Sequence, residues 1–449
     1  MALRLVWGEV IVSLQRDTCV RHRVANVTPQ AGDVLHMFRA LIQRISQGCV
    51  FCGAAVVVGA CASGDHPVVE AITRDSAGIA IVENVAVSRD IPQWRFVEPP
   101  IVELGVLEGE PAHQFNQVVG ATRLSDGRIA VADGGSKEVR FFDTNGRHLV
   151  SVGGPGEGPG EFRFLYSIDR LPGDTLIVGG WPIGWSAWYD GSGAHIEDVR
   201  LGPYFPGLIG RYLSDGSFLR DVYENGSHGN EIETWAARGE ESAFRASGRI
   251  TRQPRGGDVV DTIHGIMGPQ WFKIGAPRQG LTLHRTPFGR TTHVAWSHDR
   301  IYVGETGKRE IEVLRFDGSV ERLIRWEGSD VAVTGADRAA FRDELLTTLR
   351  RPERRADYER WLAEVPFPDI MPAFRALAAD SSGRIWVQEW NRATDNEDRW
   401  LVFAPDGQLT ATVAVPVGQT ILEIGEDVVL TLWKDELDLE YVRLYRVGT

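Results

Sequence analysis

The sequence predicts an all-β fold assembled from one small repeated unit, and three observations predict it. Short alternating apolar runs recur from Ser125 to the C-terminus; two kinds of tight-turn motif punctuate them; and the array has a spare strand at one end and lacks one at the other. The best-formed stretch is Ser125–Arg147, SDGRIAVADGGSKEVRFFDTNGR, which reads as short strands bounded by turn residues.

One turn class is Ser125-Asp126-Gly127, Pro172-Gly173-Asp174, Ser214-Asp215-Gly216 and Ser382-Gly383, each separating two apolar runs as a hairpin signal. A second class closes aromatic or apolar strands: Phe142–Gly146, Tyr189–Gly191, Phe316–Gly318 and Ala404–Gly407. Between the two classes there is room for two strands and a loop, so each unit is a four-stranded meander. The units run Val118–Val152, Leu165–Leu201, Leu208 to about Gly268, Thr291–Trp326, Ala373–Val415 and Gln419–Val447. The last lacks a fourth strand, and Ile101–Leu107 (IVELGVL) supplies one. Pairing it into the last unit closes a ring without exposed edges. The expectation is a six-bladed β-propeller closed by an N-terminal strand in the last blade, over 101–449.

One segment breaks the β pattern. Thr334–Arg350 places Phe341, Leu345, Leu346 and Leu349 on one helical face, with Thr334 and Asp337 at capping-box spacing and Pro352 as its stop. Tyr358, Trp361, Leu362 and Val365 repeat that spacing in a second short helix. The pair forms a helical insert, 334–365, between the fourth and fifth blades.

Composition narrows the partners. Of the formal charge of −13, Met1–Ala60 contributes +3 through six Arg against Glu9, Asp17 and Asp33, leaving −16 for the remainder. So acidic a body excludes nucleic acid as a partner, because phosphate recognition needs clustered Lys and Arg. The four cysteines, Cys19, Cys49, Cys52 and Cys61, all precede the body, which therefore holds neither a disulfide nor a Cys-ligated metal. Cys49 and Cys52 form a C-x-x-C pair, but inside the apolar run GCVFCGAAVVVGA they read as small hydrophobes.

That run, Gly48–Ala60, has the length of a signal-peptide core and falls short of the ~20 residues a spanning helix needs. It ends Val58-Gly59-Ala60-Cys61, a lipobox-like sequence in which Cys61 is the lipidated residue. Starting at Met37 gives a basic leader, the apolar core and the box in normal proportion, so 37–61 reads as a lipoprotein signal and 1–36 as an over-extended start or disordered leader. Residues 62–100 are weakly patterned and read as a tether and lead-in. The expected address is the periplasm-facing or cell-surface side of a bacterial membrane, with a monomeric body held through its lipid anchor alone.

The stretch GRIAVADGGSKEVRFFDTNGRHL, followed by GEGPGEF at Gly156–Phe162, resembles NHL-type repeats, in particular those of bacterial six-bladed β-propeller lipoproteins. Arg74–Ile79 (RDSAGI) and Glu436–Val447 (ELDLEYVRLYRV) belong to the same resemblance, which covers nearly everything after Cys61. It implies a fold and an address. Most such proteins have no assigned activity, so it implies no reaction.

In a propeller, blade-to-blade connections and the loops between a blade's second and third strands share a face, so the insert should lie over the channel mouth with five such loops. From these loops the candidate ligand-binding residues are Asp133, Lys137, Trp181, Trp185, Glu305, Trp390, Arg392 and Asp435. Trp, Arg and carboxylates together suit a small polar molecule or glycan, with aromatic faces for stacking and charges for orientation. A Trp on such a strand also serves blade packing, and an Asp at a strand end also caps a turn. The glycine-rich run Gly153–Gly160 contains two prolines and leads into a strand, so it offers no helix N-terminus to a phosphate. His293 and His298 flank a strand at odd spacing and point to opposite faces. No H-E-x-x-H, G-x-S-x-G or D-x-D-x-D-G motif occurs, so no catalytic residue or cofactor is assigned.

Three readings follow: a binding protein for a small molecule, glycan or protein at the insert-covered face; a lactonase- or lyase-type propeller enzyme with a divalent cation held by carboxylates in the channel; and a protein-interaction scaffold. Mass spectrometry of the native mature protein should find an acylated Cys61 at the N-terminus. An unlipidated peptide spanning Ala60 and Cys61 would sink the anchor.

Overall fold

The computed structural model describes residues 71–85, 91–180, 185–200, 210–213, 215–223, 243–255, 260–274, 282–349, 352–390, 392 and 395–448. All of them belong to one compact unit spanning Pro67–Thr449. Among them no helix is long and apolar enough to cross a membrane. Cys61 and the segments 1–36 and 37–61 lie outside the described residues.

Strands β1 (Ala71–Ser76) and β2 (Ile79–Asn84) form a hairpin, and β3 (Gln93–Leu104) follows. A meander comes next: β4 (Val118–Arg123), β5 (Ile129–Asp133), β6 (Glu138–Phe142) and β7 (His148–Gly153). A second contains β8 (Leu165–Arg170), β9 (Leu176–Gly180), β10 (Trp185–Tyr189) and β11 (His195–Arg200). The third has five strands: β12 (Gly210–Tyr212), β13 (Phe218–Tyr223), β14 (Ala243–Gln253), β15 (Asp261–Ile274) and β16 (Thr282–Arg285). The fourth is β17 (Thr292–Trp296), β18 (Ile301–Glu305), β19 (Glu310–Leu314) and β20 (Val320–Trp326). Helices α1 (Gly335–Thr347) and α2 (Arg355–Glu364) intervene before β21 (Ala376–Ala379), β22 (Ile385–Gln388), β23 (Glu397–Phe403) and β24 (Leu409–Pro416). The chain ends with β25 (Thr420–Ile424), β26 (Val428–Lys434) and β27 (Glu440–Gly448).

Turn chemistry explains the repetition. Asp143 Oδ1 accepts from the amides of Asn145 and Arg147, and Asp190, Asp380 and Asp435 hold their turns through the same two-residue and four-residue contacts. Hydrogen bonds from Ser192 and Ser319 to Asp190 and Asp317 hold these carboxyls below the usual carboxylate range.

Apolar side chains pack each meander on the next. Phe141, Leu165 and Tyr189 join the first to the second, and Trp188, Tyr212 and Phe218 the second to the third. Leu219, Ile250 and Ile301 join the third to the fourth, and Tyr302, Phe374 and Leu401 the fourth to the fifth. Trp386, Val413 and Tyr445 continue to the last strands, which return to the first meander through Val102, Leu104, Ile129, Phe142 and Leu444. The order of these clusters is cyclic. Small antiparallel sheets packed face to face in cyclic order make this unit a β-propeller.

The expected N-terminal closure strand is present and longer than expected. Val102–Leu104 of β3 pair antiparallel with Val442–Leu444 of β27. The strand ends at Leu104 instead of Leu107 because Gly105, at φ +131°, leaves a Cβ only 2.5 Å from the Glu440 carbonyl oxygen, a passage for glycine alone. Its other half, Gln93–Arg95, pairs parallel with Thr412–Ala414 of β24 and joins two sheets into one of eight strands.

Two further segments differ from expectation. The lead-in 62–100, read as a tether, contains β1 and β2, and β2 pairs parallel with β20. Its weak pattern reflects one-sided burial: β1 is largely exposed, whereas Ile81 and Val82 are buried. Buried Asn84 fixes the hairpin, donating to the carbonyls of Arg325 and Gly407 (both 3.0 Å) and accepting from the Leu409 amide (2.8 Å). The third unit, expected to end near Gly268, runs on to β16, because Trp271–Ile274 find a further partner in Thr282–Arg285.

Both helices form near their expected positions. Thr334 caps α1 with both capping-box bonds to Asp337. Phe341, Leu345, Leu346, Tyr358, Trp361, Leu362 and Val365 cluster on Phe272 of β15.

Replacing Asn84 with Ala strands two carbonyls and an amide away from water. Unfolding free energy should fall by about 2–3 kcal/mol in urea denaturation, against under ~0.5 kcal/mol for a change on exposed β1 such as Thr73→Ala.

Candidate functional site

The structure places the candidate residues in three situations. Asp133 is wholly buried, accepting from the Asn116 amide (2.7 Å) and from the Ser136 amide (3.1 Å) and hydroxyl (2.7 Å), and facing Arg140 at 3.3 Å. Arg140 in turn donates to the carbonyls of Pro111, Ala112 and Gln114, so this carboxylate holds a loop together. Asp435 caps its own turn through the amides of Leu437 (2.8 Å) and Leu439 (3.0 Å). Lys137 is half-buried with φ +63°, its amide bound to the Asp133 carbonyl. Glu305 pairs with Arg245 at 2.6 Å and ties the third sheet to the fourth. Trp185 is exposed at the start of β10 beside Gly180. Trp181 lies outside the described residues.

Trp390 and Arg392 share the loop between β22 and β23. The half-buried indole of Trp390 meets the Arg375 guanidinium (5.7 Å from the ring centroid) and the edge of Phe288 (5.8 Å). Phe288 also packs on Phe341 of α1 and on Phe367. The Arg392 amide donates to Asp395 (2.7 Å), and its guanidinium lies 3.7 Å from Asp337, the capping carboxylate of α1. This loop is therefore seated against the helices.

Beside the same loop is a groove of about 1130 Å³. Its walls are Glu389, Trp390 and Asp395 of the loop, Glu397–Arg399 of β23, Thr412–Ala414 of β24, Gln93 and Arg95 of β3, and Arg309 with Trp326–Ser329 at the end of the fourth sheet. The parallel pairing of β3 with β24 brings Arg95 to it. Arg399 is fixed by Glu389 (2.8 Å) and Arg309 by Asp330 (2.9 Å) and the Ser329 carbonyl (2.7 Å). A groove of this volume has room for a small organic molecule, and its walls offer an aromatic face and several charged groups. Of its lining, loop position in the sequence points to Trp390 and, within the same loop, Asp395. Arg95 carries no local signal, since only the parallel pairing of β3 with β24 brings it here.

Arg375, which faces Trp390, and His293, hydrogen-bonded to the Arg375 backbone, are two unusual basic groups. Burial pushes the guanidinium pKa of Arg375 down, while the charges of Asp398 and Glu344 oppose the shift. Burial likewise pushes the imidazole of His293, on β17, down to about 4; a hydrogen bond to the Arg375 backbone opposes this and the Arg285 charge adds to it. At neutral pH His293 is an uncharged ring packed at 6.0 Å from Phe374. Among the described residues no three His, Cys, Asp or Glu side chains gather as metal ligands.

No family model and no curated protein matches this chain. Solved structures similar to it include a protein of Bacteroides fragilis, at 12% identity over 82% of this chain and 100% of that one, with a TM-score of 0.44. A member of the DUF4221 family from Bacteroides vulgatus matches at 9% identity over 79% and 99%, with a TM-score of 0.43. A gluconolactonase from Xanthomonas campestris matches at 11% identity over 79% and 100%, with a TM-score of 0.36. At such values the functional reading rests on the geometry of this chain alone.

His293 sets a pH dependence. Its folded pKa of about 4 lies below the ordinary value of 6.5, so as pH falls the unfolded chain takes up the proton first. The stability tied to neutral His293 is complete above pH 6.5, declines between 6.5 and 4, and is flat below. Urea unfolding should show His293→Gln losing less stability than the wild type across that window, by at most about 3 kcal/mol.

Proposed function

We propose that this chain is a membrane-tethered, extracytoplasmic six-bladed β-propeller of the NHL-type lipoprotein kind, and that it binds a small polar organic molecule in the groove beside Trp390. The carrying observation is the groove itself: about 1130 Å³, walled by the Trp390–Asp395 loop that also seats α1. Support for six blades comes from the six clusters linking consecutive sheets in cyclic order, and for closure of the last blade from the pairing of β3 with β27. In this reading α1 and α2 are an insert between the fourth and fifth blades, on the face that carries the Trp390 loop and the channel mouth. Support for the address comes from the Gly48–Ala60 run, the lipobox-like Val58–Cys61 and a body free of cysteine.

Binding is favoured over catalysis because Arg399, Arg309 and Asp395 of the groove are engaged in ion pairs and loop structure, and the contacts of its charged groups described above form no nucleophile–base pair. The metal-dependent alternative would need three or more ligands gathered near the channel, a grouping not found among the described residues. A partner protein at the same face is the remaining alternative.

The aromatic wall gives the test. In a ligand-observed NMR screen of polar fragments, compounds that bind the wild type should bind Trp390→Leu roughly tenfold or more weakly, with the circular dichroism spectrum unchanged. Hits that bind the variant equally well would place the ligand elsewhere.

A further inference from the structure

The second sheet carries a feature that the groove does not use. Among the described residues, the Phe, Tyr and Trp side chains left exposed are Phe164 (58%), Tyr166 (42%) and Trp185 (38%). All lie at one end of this sheet, Phe164 and Tyr166 around the start of β8 and Trp185 at the start of β10. Scattered exposed apolar side chains need no explanation, whereas confinement of the exposed rings to one place does.

The backbone presents these rings. Leu165 and Ser167 pair with the consecutive residues Gly180 and Gly179, so Tyr166 bulges from the ladder without an opposite residue. Buried Phe162 and Leu165 anchor the segment on either side of Phe164, and the Phe162 amide donates to the Gly154 carbonyl (2.9 Å). Gly180 is required for that seating, because a Cβ there would collide with the Phe162 ring and lie 2.9 Å from the Phe164 carbonyl oxygen. The Phe164 and Tyr166 rings are near-parallel, 16° between planes and 6.4 Å between centroids, so their faces turn the same way. Gly180 also pairs with Trp185, which sets that residue's backbone two strand spacings, about 10 Å, from Leu165.

The surroundings bear on what such rings would hold. Arg163, next to Phe164 in the chain, forms an exposed ion pair with Glu157, and exposed Arg200 stands opposite Trp185 in the ladder. The exposed aliphatic residue of this sheet, Ile196, is at its other end, after the His195–Tyr189 pair. A lipid chain or an apolar protein surface would call for aliphatic neighbours; here flat rings stand among charged hydrogen-bonding groups. Nucleobases would stack too, but their phosphates would meet a chain of net charge −13. A sugar ring matches both elements. Its axial C–H groups are slightly positive and meet the negative aromatic face, while its hydroxyls reach outward to carboxylate and guanidinium groups.

We infer that this end of the second sheet binds an oligosaccharide of β-linked pyranose units with equatorial hydroxyls, both of whose ring faces carry C–H groups. The site shares no residue with the groove beside Trp390 and does not depend on it.

Isothermal titration calorimetry of the whole mature protein with cellohexaose tests it, alongside the α-linked isomer maltohexaose. Cellohexaose should bind at least about tenfold more tightly than maltohexaose. Binding should weaken by about tenfold or more in F164A/Y166A and in Trp185→Ala. Tyr166→Phe, which keeps the ring, should stay within about threefold, and Trp390→Leu within about twofold. Thermal unfolding followed by circular dichroism should be unchanged in F164A/Y166A, since both side chains are exposed, and this separates lost contact from lost fold. Absence of cellohexaose binding, or equal binding by the wild type and F164A/Y166A, overturns the inference. Loss of binding in Trp390→Leu alone would place the sugar in the groove and overturn this site. A wild type that sediments as a dimer beside a monomeric F164A/Y166A would assign the rings to a contact between copies and overturn it as well. Equal binding of maltohexaose, lost in F164A/Y166A, would overturn the linkage and keep the site.

Discussion

The structure depends on the pairing of Val102–Leu104 with Val442–Leu444. Without it the last sheet has three strands, and the cluster formed by Val102, Leu104, Phe142 and Leu444 loses one wall. The Arg443–Glu103 ion pair in this seam joins residues 340 positions apart. Closing a chain over such a separation costs about 5 kcal/mol by polymer scaling. Buried aliphatic side chains at roughly 1.5–3 kcal/mol each offset that cost, and Val102, Leu104, Val442 and Leu444 supply four. The closing strand must therefore be apolar on its inward face, as Val102 and Leu104 are.

The acidity of the chain has two physical origins. Part of it is turn structure: Asp143, Asp190, Asp317, Asp380 and Asp435 each accept backbone amides in tight turns, and Asp133 holds a loop with Arg140. These charges are fixed by the repeat. Another part faces the groove, where Glu389, Asp395 and Glu397 line one wall. Net charge alone does not separate the two populations; their positions in the fold do.

That distinction also accounts for what was legible beforehand. Strand boundaries, closure and both helices follow from local patterns: Gly and Asp at turns, apolar alternation, and the Thr334–Asp337 capping box. The hairpin β1–β2 was not legible because β1 is largely exposed and carries little apolar alternation, and the parallel pairings of β2 with β20 and of β3 with β24 were not, because parallel partners distant in sequence leave no local trace. Candidate residues chosen by loop position divide accordingly. Trp390 and Arg392 sit where the groove and helix α1 meet, whereas Asp133 and Asp435 belong to their own loops. The groove wall that carries Arg95 is set by the pairing of β3 with β24.

The hairpin at the start of the described body also has a mechanical meaning. Ala71 lies opposite Asn84, so tension arriving from residues before β1 would separate the hairpin one pair at a time, as a zipper opens. Asn84, held by three hydrogen bonds to the fourth and fifth sheets, would then act as a stop before any load reached β3. Between Ala71 and the seam strand β3 there thus lies a hairpin whose outer strand is exposed and whose inner strand is pinned at its far end by Asn84.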